Sequence, residues 1–426
     1  MNRIRNKINY LAEQPNFKPL CIRTITFPIQ FVISLFVWHL IISNSSENSI
    51  QSLLMMTSIM FLSTVFLIGS HTTLGLRIID NSSGAPESFG FSLFIPYAVV
   101  LISFPVIFIY SNSIFSFLLI NDSDFGTLFI VILILLLLAP SAVFQSILVA
   151  NNKNVLLAIV PIIGSIFSLF IALVLLKQER QALSALFLVL TSSSLFSTLV
   201  MFIFSIKHIK PTRFWHNRRD LGSFINVGSF LISVSAPFAF SMDRILVAHL
   251  GTIDDALKIA PVNRIVASIF LIISSAGMAF WPQLRLRIDH QVLRRFTYVS
   301  MISVTPFVCG IFLLSPSIVM YVTNDQSATT VLENLSISLF VFAYATSLVP
   351  MLALSDANGQ FKVFFATMLS TLATILISYF AIPIIGISGY YLPASFSIVV
   401  FITVPLYFSA YKKRGILRSG DSGLSR

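Results

Sequence analysis

From Thr24 to Ala410 the chain repeats one pattern: an apolar run long enough to cross a bilayer, a few polar residues, then another apolar run. A hydrocarbon core roughly 30 Å thick needs about 20 helical residues at about 1.5 Å each. Runs of that length fall near residues 24–43, 50–76, 89–112, 125–150, 155–176, 182–206, 221–250, 253–284, 296–318, 332–354, 361–382 and 386–410, twelve in all. The expected fold class is all-α, a polytopic membrane protein of about 12 transmembrane helices. With 56% hydrophobic residues, 10% charged residues and 41 Phe, the composition excludes an ordinary soluble globule.

The basic residues test the count. With both termini cytoplasmic, the inner segments hold 22 of the 27 Lys and Arg, the outer loops hold only Lys177 and Arg180, and the other three, Arg244, Lys258 and Arg264, lie within spans. Acidic residues show no such bias. Topology follows Lys and Arg, so the asymmetry supports twelve spans with both ends inside. The basic N-terminus precedes an apolar run without a clear cleavage site, and reads as a retained first span. The loops at 207–219 and 285–295 are topology signals first, and contacts for anionic membrane lipids second. The net charge of +11 does not imply nucleic acid, because no soluble domain carries it. Cys21 and Cys309 form no CxxC pair, so neither a disulfide framework nor a metal site is expected.

A weak repeat divides the chain. AlaAsnAsnLysAsnVal at 150–155 and AlaAsnGlyGlnPheLysVal at 357–363 each stand between the fourth and fifth helix of a six-helix half. The expected organisation is a cytoplasmic segment 1–23, an N-terminal half 24–206, a basic linker 207–220, a C-terminal half 221–410 and a basic tail 411–426. Two parallel repeats suggest two six-helix bundles around a central cavity, with a substrate between them.

Catalytic signatures are missing. The sequence has no GxxxxGK[ST] phosphate loop, GxSxG, HExxH or His/Cys cluster, so no catalytic residue is assigned. The outer loops are short, which argues against a membrane enzyme of glycan assembly such as a polymerase or ligase. Transport is the expected activity.

Pro237 to Arg264 concentrates the chemistry, because an ionisable side chain deep in a bilayer costs roughly 2.5–3.5 kcal/mol and usually faces a bundle interior or a wet cavity. Gly251 ends one helix, and Thr252 with Asp255 three residues on forms a capping box for the next. Arg244 and Arg264 are candidate anion ligands, or else structural partners of carbonyls and acids. Lys258 is a further candidate ligand, or a surface partner of Asp254 one turn earlier. Asp243 cannot face Arg244 across the helix, since adjacent positions diverge by about 100°. It binds a coupling proton or sodium ion, or balances charge. His39, His71 and His249 are candidate cavity-lining groups whose alternatives are packing, hydrogen bonding and the interface. Trp38, Tyr110, Trp281 and Tyr321 read as interfacial belt anchors.

MDRILVAHLGT (242–252), AFWPQLRLR (279–287) and LIGSHTTLGLRI (67–78) resemble segments of the O-antigen (Wzx-type) polysaccharide flippases of the multidrug/oligosaccharidyl-lipid/polysaccharide exporter superfamily. Asp243, Arg244, Gly251 and Pro282 match the acidic-basic pair, Gly and Pro of that pattern. The resemblance implies an inner-membrane flippase that moves an undecaprenyl-pyrophosphate-linked oligosaccharide from the inner to the outer leaflet by alternating access. It implies a lipid-linked oligosaccharide, membrane lipids and other glycan-assembly proteins as partners, and no cofactor beyond a coupling proton or sodium ion. The rival on the same scaffold is a cation-coupled multidrug exporter, which predicts acidic residues in the cavity. Only Asp243 answers to that within the spans.

Overall fold

In a computed structural model the described residues are 17–46, 49–58, 125–138, 140–150, 153–176, 183–206, 242–286, 290–354 and 357–411, with single positions between 97 and 117. Every regular element among them is helical. Those before the basic linker are α1 (Phe17–Ser43), α2 (Phe125–Leu138), α3 (Ser141–Ala150), α4 (Asn154–Leu175) and α5 (Leu183–Ile206). After it come α6 (Ile253–Leu286), α7 (His290–Val322), α8 (Val331–Ala353), α9 (Ala357–Ile385) and α10 (Ser388–Ser397). Residues 49–58 and 242–250 are helical as well. Among the described residues seven helices are long and apolar enough to cross a membrane, so the chain is an all-α polytopic membrane protein.

Two expected spans are not single α-helices. The run 125–150 divides into α2 and α3 at Pro140, whose ring cannot donate and would clash with the carbonyl one turn back. The last run begins as α10 and passes through a π-helical turn at Ile398–Thr403 before continuing to Tyr411.

Apolar contact between helices gains little in lipid, so small residues and hydroxyl hydrogen bonds hold the bundle. α8 is central to its half: 61% of its apolar window is buried, against 22% for that of α7. Its buried face carries Ser336, Ser338, Ala343, Ala345, Thr346 and Ser347. Ser336 and Thr346 donate to carbonyls in their own helix, Ser338 donates to Val308 O of α7, and Asn334 accepts from Ser315 of α7. α4 and α5 meet through Gly164, where a Cβ would fall 2.6 Å from Ser193 O. α1 packs on α4 and also on α6 and α7, so it belongs to both walls of the space between the halves.

The turn between α9 and α10 is dictated by two glycines. Gly386 has φ +57°, the left-handed conformation that ends helices, and its N–H donates to Ile382 O. Gly389 lies so close to the end of α9 that a Cβ would meet three backbone atoms of Ala381 and Ile382 at 2.4–2.6 Å. This tight return delivers Tyr390 and Tyr391 to the centre of the molecule.

Candidate functional site: a basic central cavity

The space between the halves is a cavity of about 520 Å³. Its first wall is uncharged: Gln30, Ser34 and Trp38 of α1, Thr57 of the stretch 49–58, Ser165 and Ser168 of α4, and Ser193 and Ser194 of α5, with Ile33, Val37 and Leu190 among them. The opposite wall carries charge and aromatic rings, with Asp243 and Arg244 from the stretch 242–250, Asn263, Arg264 and Phe270 of α6, Phe340 and Tyr344 of α8, and Tyr390 of α10. Arg264 lies eleven residues into α6, about 17 Å from its start.

Asp243 is 3% exposed, and its carboxylate is fully engaged by the protein. Oδ1 accepts from the backbone N–H of Arg244 at 2.7 Å; Oδ2 accepts from Asn263 Nδ2 at 2.6 Å and from the Tyr391 hydroxyl at 3.1 Å. As the sequence geometry requires, the Arg244 guanidinium is not its partner. It turns instead to Asn263 Oδ1, to which Nη2 donates at 2.6 Å, while Arg244 Nε is buried with no hydrogen-bond partner. Arg264 stacks over the Trp38 ring, with Cζ 5.9 Å from its centroid, inside cation–π range. Among the described residues it forms no ion pair. Among the described residues the lining therefore holds two cations and one carboxylate already committed to neighbouring donors, and the balance of that described lining is positive.

Lys258 stands apart from this lining. Its ammonium lies 2.6 Å from Asp254 and 3.4 Å from Glu333, both within the C-terminal half. Glu333 is also the reciprocal member of the capping box that starts α8 with Thr330. Asp254 accepts from Ser327 as well, at 2.5 Å. Lys258 thus ties α6 to the start of α8, and the surface pair expected with Asp254 extends to a buried acid. Lys258→Met should destabilise the protein by about 3 kcal/mol, because Glu333 would stay buried without its cation. Adding Glu333→Gln should recover part of that loss in a thermal-melt double-mutant cycle; additive losses would refute the pairing.

His39 and His249 lie toward the end of the bundle where α1 stops at Ser43 and α7 at Val322. His39 Nδ1 is 2.8 Å from Tyr321 O, and because a carbonyl only accepts, that nitrogen carries the proton. The two rings stack at 4.8 Å. Asn324, in the left-handed region at φ 54°, donates to Ser43 Oγ at 2.6 Å. His249 is exposed and lies 5.0 Å from the Phe117 ring. All three contacts join residues before the linker to residues after it, above the cavity. His71 lies outside the described residues. The capping box expected at Thr252 is present: Asp255 Oδ2 accepts from Thr252 N at 2.9 Å, and Asp255 N donates to Thr252 Oγ1 at 3.2 Å. No group of three or more His, Cys, Asp or Glu able to hold a metal occurs among the described residues.

Sequence reading missed Asn263, Tyr391 and the true place of Trp38. Trp38 is 2% exposed and lies under Arg264, not in an interfacial belt. Asn263 was open to notice, since a polar amide beside Arg264 in an apolar span needs a partner. Tyr391 carried no such signal, because its partner lies 148 residues away.

Neither a family model nor a curated protein sequence matches this chain. Solved structures do. An inward-facing multidrug-resistance MATE family transporter of the MOP superfamily superposes with TM-score 0.68 at 12% identity, over 94% of this chain and 99% of that one. The lipid II flippase MurJ, in an inward closed conformation, gives 0.66 at 15% identity, over 92% and 87%. A MOP superfamily transporter from Pyrococcus furiosus, described as having a binding pocket of reverse polarity, gives 0.64 at 12%, over 96% and 98%. At these identities the likeness establishes a shared fold.

Proposed function

We propose that the protein is a flippase that carries an anionic, undecaprenyl-pyrophosphate-linked oligosaccharide from the inner to the outer leaflet of a bacterial inner membrane. The observation that carries this reading is the polarity of the cavity. Arg264 lines it without an acid partner among the described residues, and the one carboxylate in the described lining is held by Arg244 N, Asn263 and Tyr391. A guanidinium pair offers forked donors suited to phosphate oxygens, and low-dielectric walls strengthen the attraction. The volume is within the range of about 300–1,000 Å³ usual for small-molecule sites, room for a pyrophosphate and its nearest sugar. A longer glycan needs the halves to part, with the His39–Tyr321 and Ser43–Asn324 contacts breaking as one half rocks on the other.

The fold likeness to a lipid II flippase supports this reading, and the likeness to MATE transporters supports a cation-coupled multidrug exporter as the second. Cavity charge separates them, because a site for cationic compounds would be built around free carboxylates. A complementation test decides between the two. In a strain lacking its glycan flippase, expression should restore surface polysaccharide, and in a drug-sensitive strain it should leave cationic-dye accumulation unchanged. Dye export without glycan restoration would overturn the proposal.

A further inference from the structure

Asp243 and Arg244 leave their helix in different directions, and Asn263 of α6 joins them. Its Nδ2 donates to Asp243 Oδ2 and its Oδ1 accepts from Arg244 Nη2, both at 2.6 Å. The neighbours dictate this orientation, because a guanidinium has only donors and an ionised carboxylate only acceptors. With Asn263 only 8% exposed, water does not readily replace either bond.

The amide has a second orientation that satisfies the same groups in another state. If an anion takes the donors of Arg244, Asn263 Oδ1 loses its donor. If Asp243 gains a proton, its new O–H needs an acceptor and Nδ2 loses a charged one. When both events happen together, rotation of the amide restores every bond: Asp243 O–H donates to Oδ1, and Nδ2 donates to the anion. Oδ1 of Asp243 keeps the Arg244 backbone N–H, and the Tyr391 hydroxyl keeps a lone pair on Oδ2. Either event alone leaves a buried amide mismatched.

We infer that Asn263 is a positioning residue that couples proton uptake by Asp243 to anion binding at Arg244, so that the phosphate end of the substrate enters the cavity together with a proton. This rests on the anion-carrier reading and adds the coupling to it. The charged and titratable groups described on this wall are Arg244 on the same helix, Arg264 on α6, Tyr344 on α8, and Tyr390 and Tyr391 on α10; the described lining residues of the opposite wall are uncharged. The incoming negative charge favours a protonated Asp243, in the same direction as the amide.

The test uses the purified full chain in nanodiscs and, as ligand, farnesyl-pyrophosphoryl-N-acetylglucosamine, a pyrophosphate diester with no group that titrates near neutrality. Titration calorimetry in buffers of different ionisation enthalpy counts protons. The wild type should take up close to one proton per ligand, with affinity rising up to about tenfold per unit fall in pH. Asn263→Leu should cut the proton count by about half or more, since linkage between two sites disappears with the element that joins them. Asp243→Asn, which preserves side-chain shape, should abolish it and identifies the proton site, and Asn263→Ala tests the amide if Asn263→Leu does not fold. Binding by the wild type without proton exchange, or undiminished uptake in any of these variants, overturns the coupling alone. Failure of the wild type to bind the diester overturns the anion-carrier reading and the coupling with it.

Discussion

Arg264→Ala is expected to abolish restoration of surface polysaccharide while leaving the protein in the membrane at near-normal level. Removing one partner of a desolvated charge pair in a binding site costs about 2–5 kcal/mol, or roughly 30-fold to several thousand-fold in affinity. Stability should change little. The substitution removes one cation–π interaction with Trp38, worth about 0.5–2 kcal/mol, and this is offset by taking a partly desolvated charge out of the cavity wall. Arg264→Lys keeps the charge but not the planar fork, so transport should fall between wild type and Ala. The measurement is surface glycan per molecule of membrane-inserted protein. Normal glycan with Arg264→Ala would remove the central argument for an anionic cargo.

Gly389→Val is expected to prevent accumulation of folded protein. At this position a Cβ would lie 2.4–2.6 Å from Ile382 N, Ala381 C and Ala381 O, and backbone cannot swing aside as a side-chain tip can. Overpacking usually costs about 1–3 kcal/mol, and a clash with backbone at the α9–α10 return belongs at or above the top of that range. The displaced helix carries Tyr390 and Tyr391, so the cavity wall and one donor to Asp243 would move together. Fluorescence-detected size exclusion and a thermal melt in detergent would report it; a monodisperse variant melting within a few degrees of wild type, as expected for less than about 1 kcal/mol, would contradict this account of the turn.

The same two residues show how differently the chain discloses its parts. Arg264 was conspicuous because a cation in an apolar run is expensive wherever the run ends up, and expense implies a cavity or a partner. Gly389 was silent, since its need for a missing side chain arises only when α9 and α10 fold back on each other. Lys258 lies between these cases. Its pairing with Asp254 is local and follows from a spacing of four residues, whereas Glu333, 75 residues on, is reached only through the packing of α6 on α8. That pairing turned a candidate ligand into part of an internal clamp. Pro140, visible in the sequence, became a break between two helices because a missing donor and a ring clash act within one turn.

Membership in the all-α membrane class, the start of α6 at its Thr252–Asp255 capping box, and the candidacy of Asp243, Arg244 and Arg264 were determined by the sequence itself, because length, capping and the cost of burying charge act locally or on every residue alike. The tertiary structure alone decided that Asn263 bridges Asp243 and Arg244, that Trp38 lies beneath Arg264, and that Tyr391 reaches Asp243. Those contacts join separate helices, and no periodicity within one helix encodes the rotation at which another will face it.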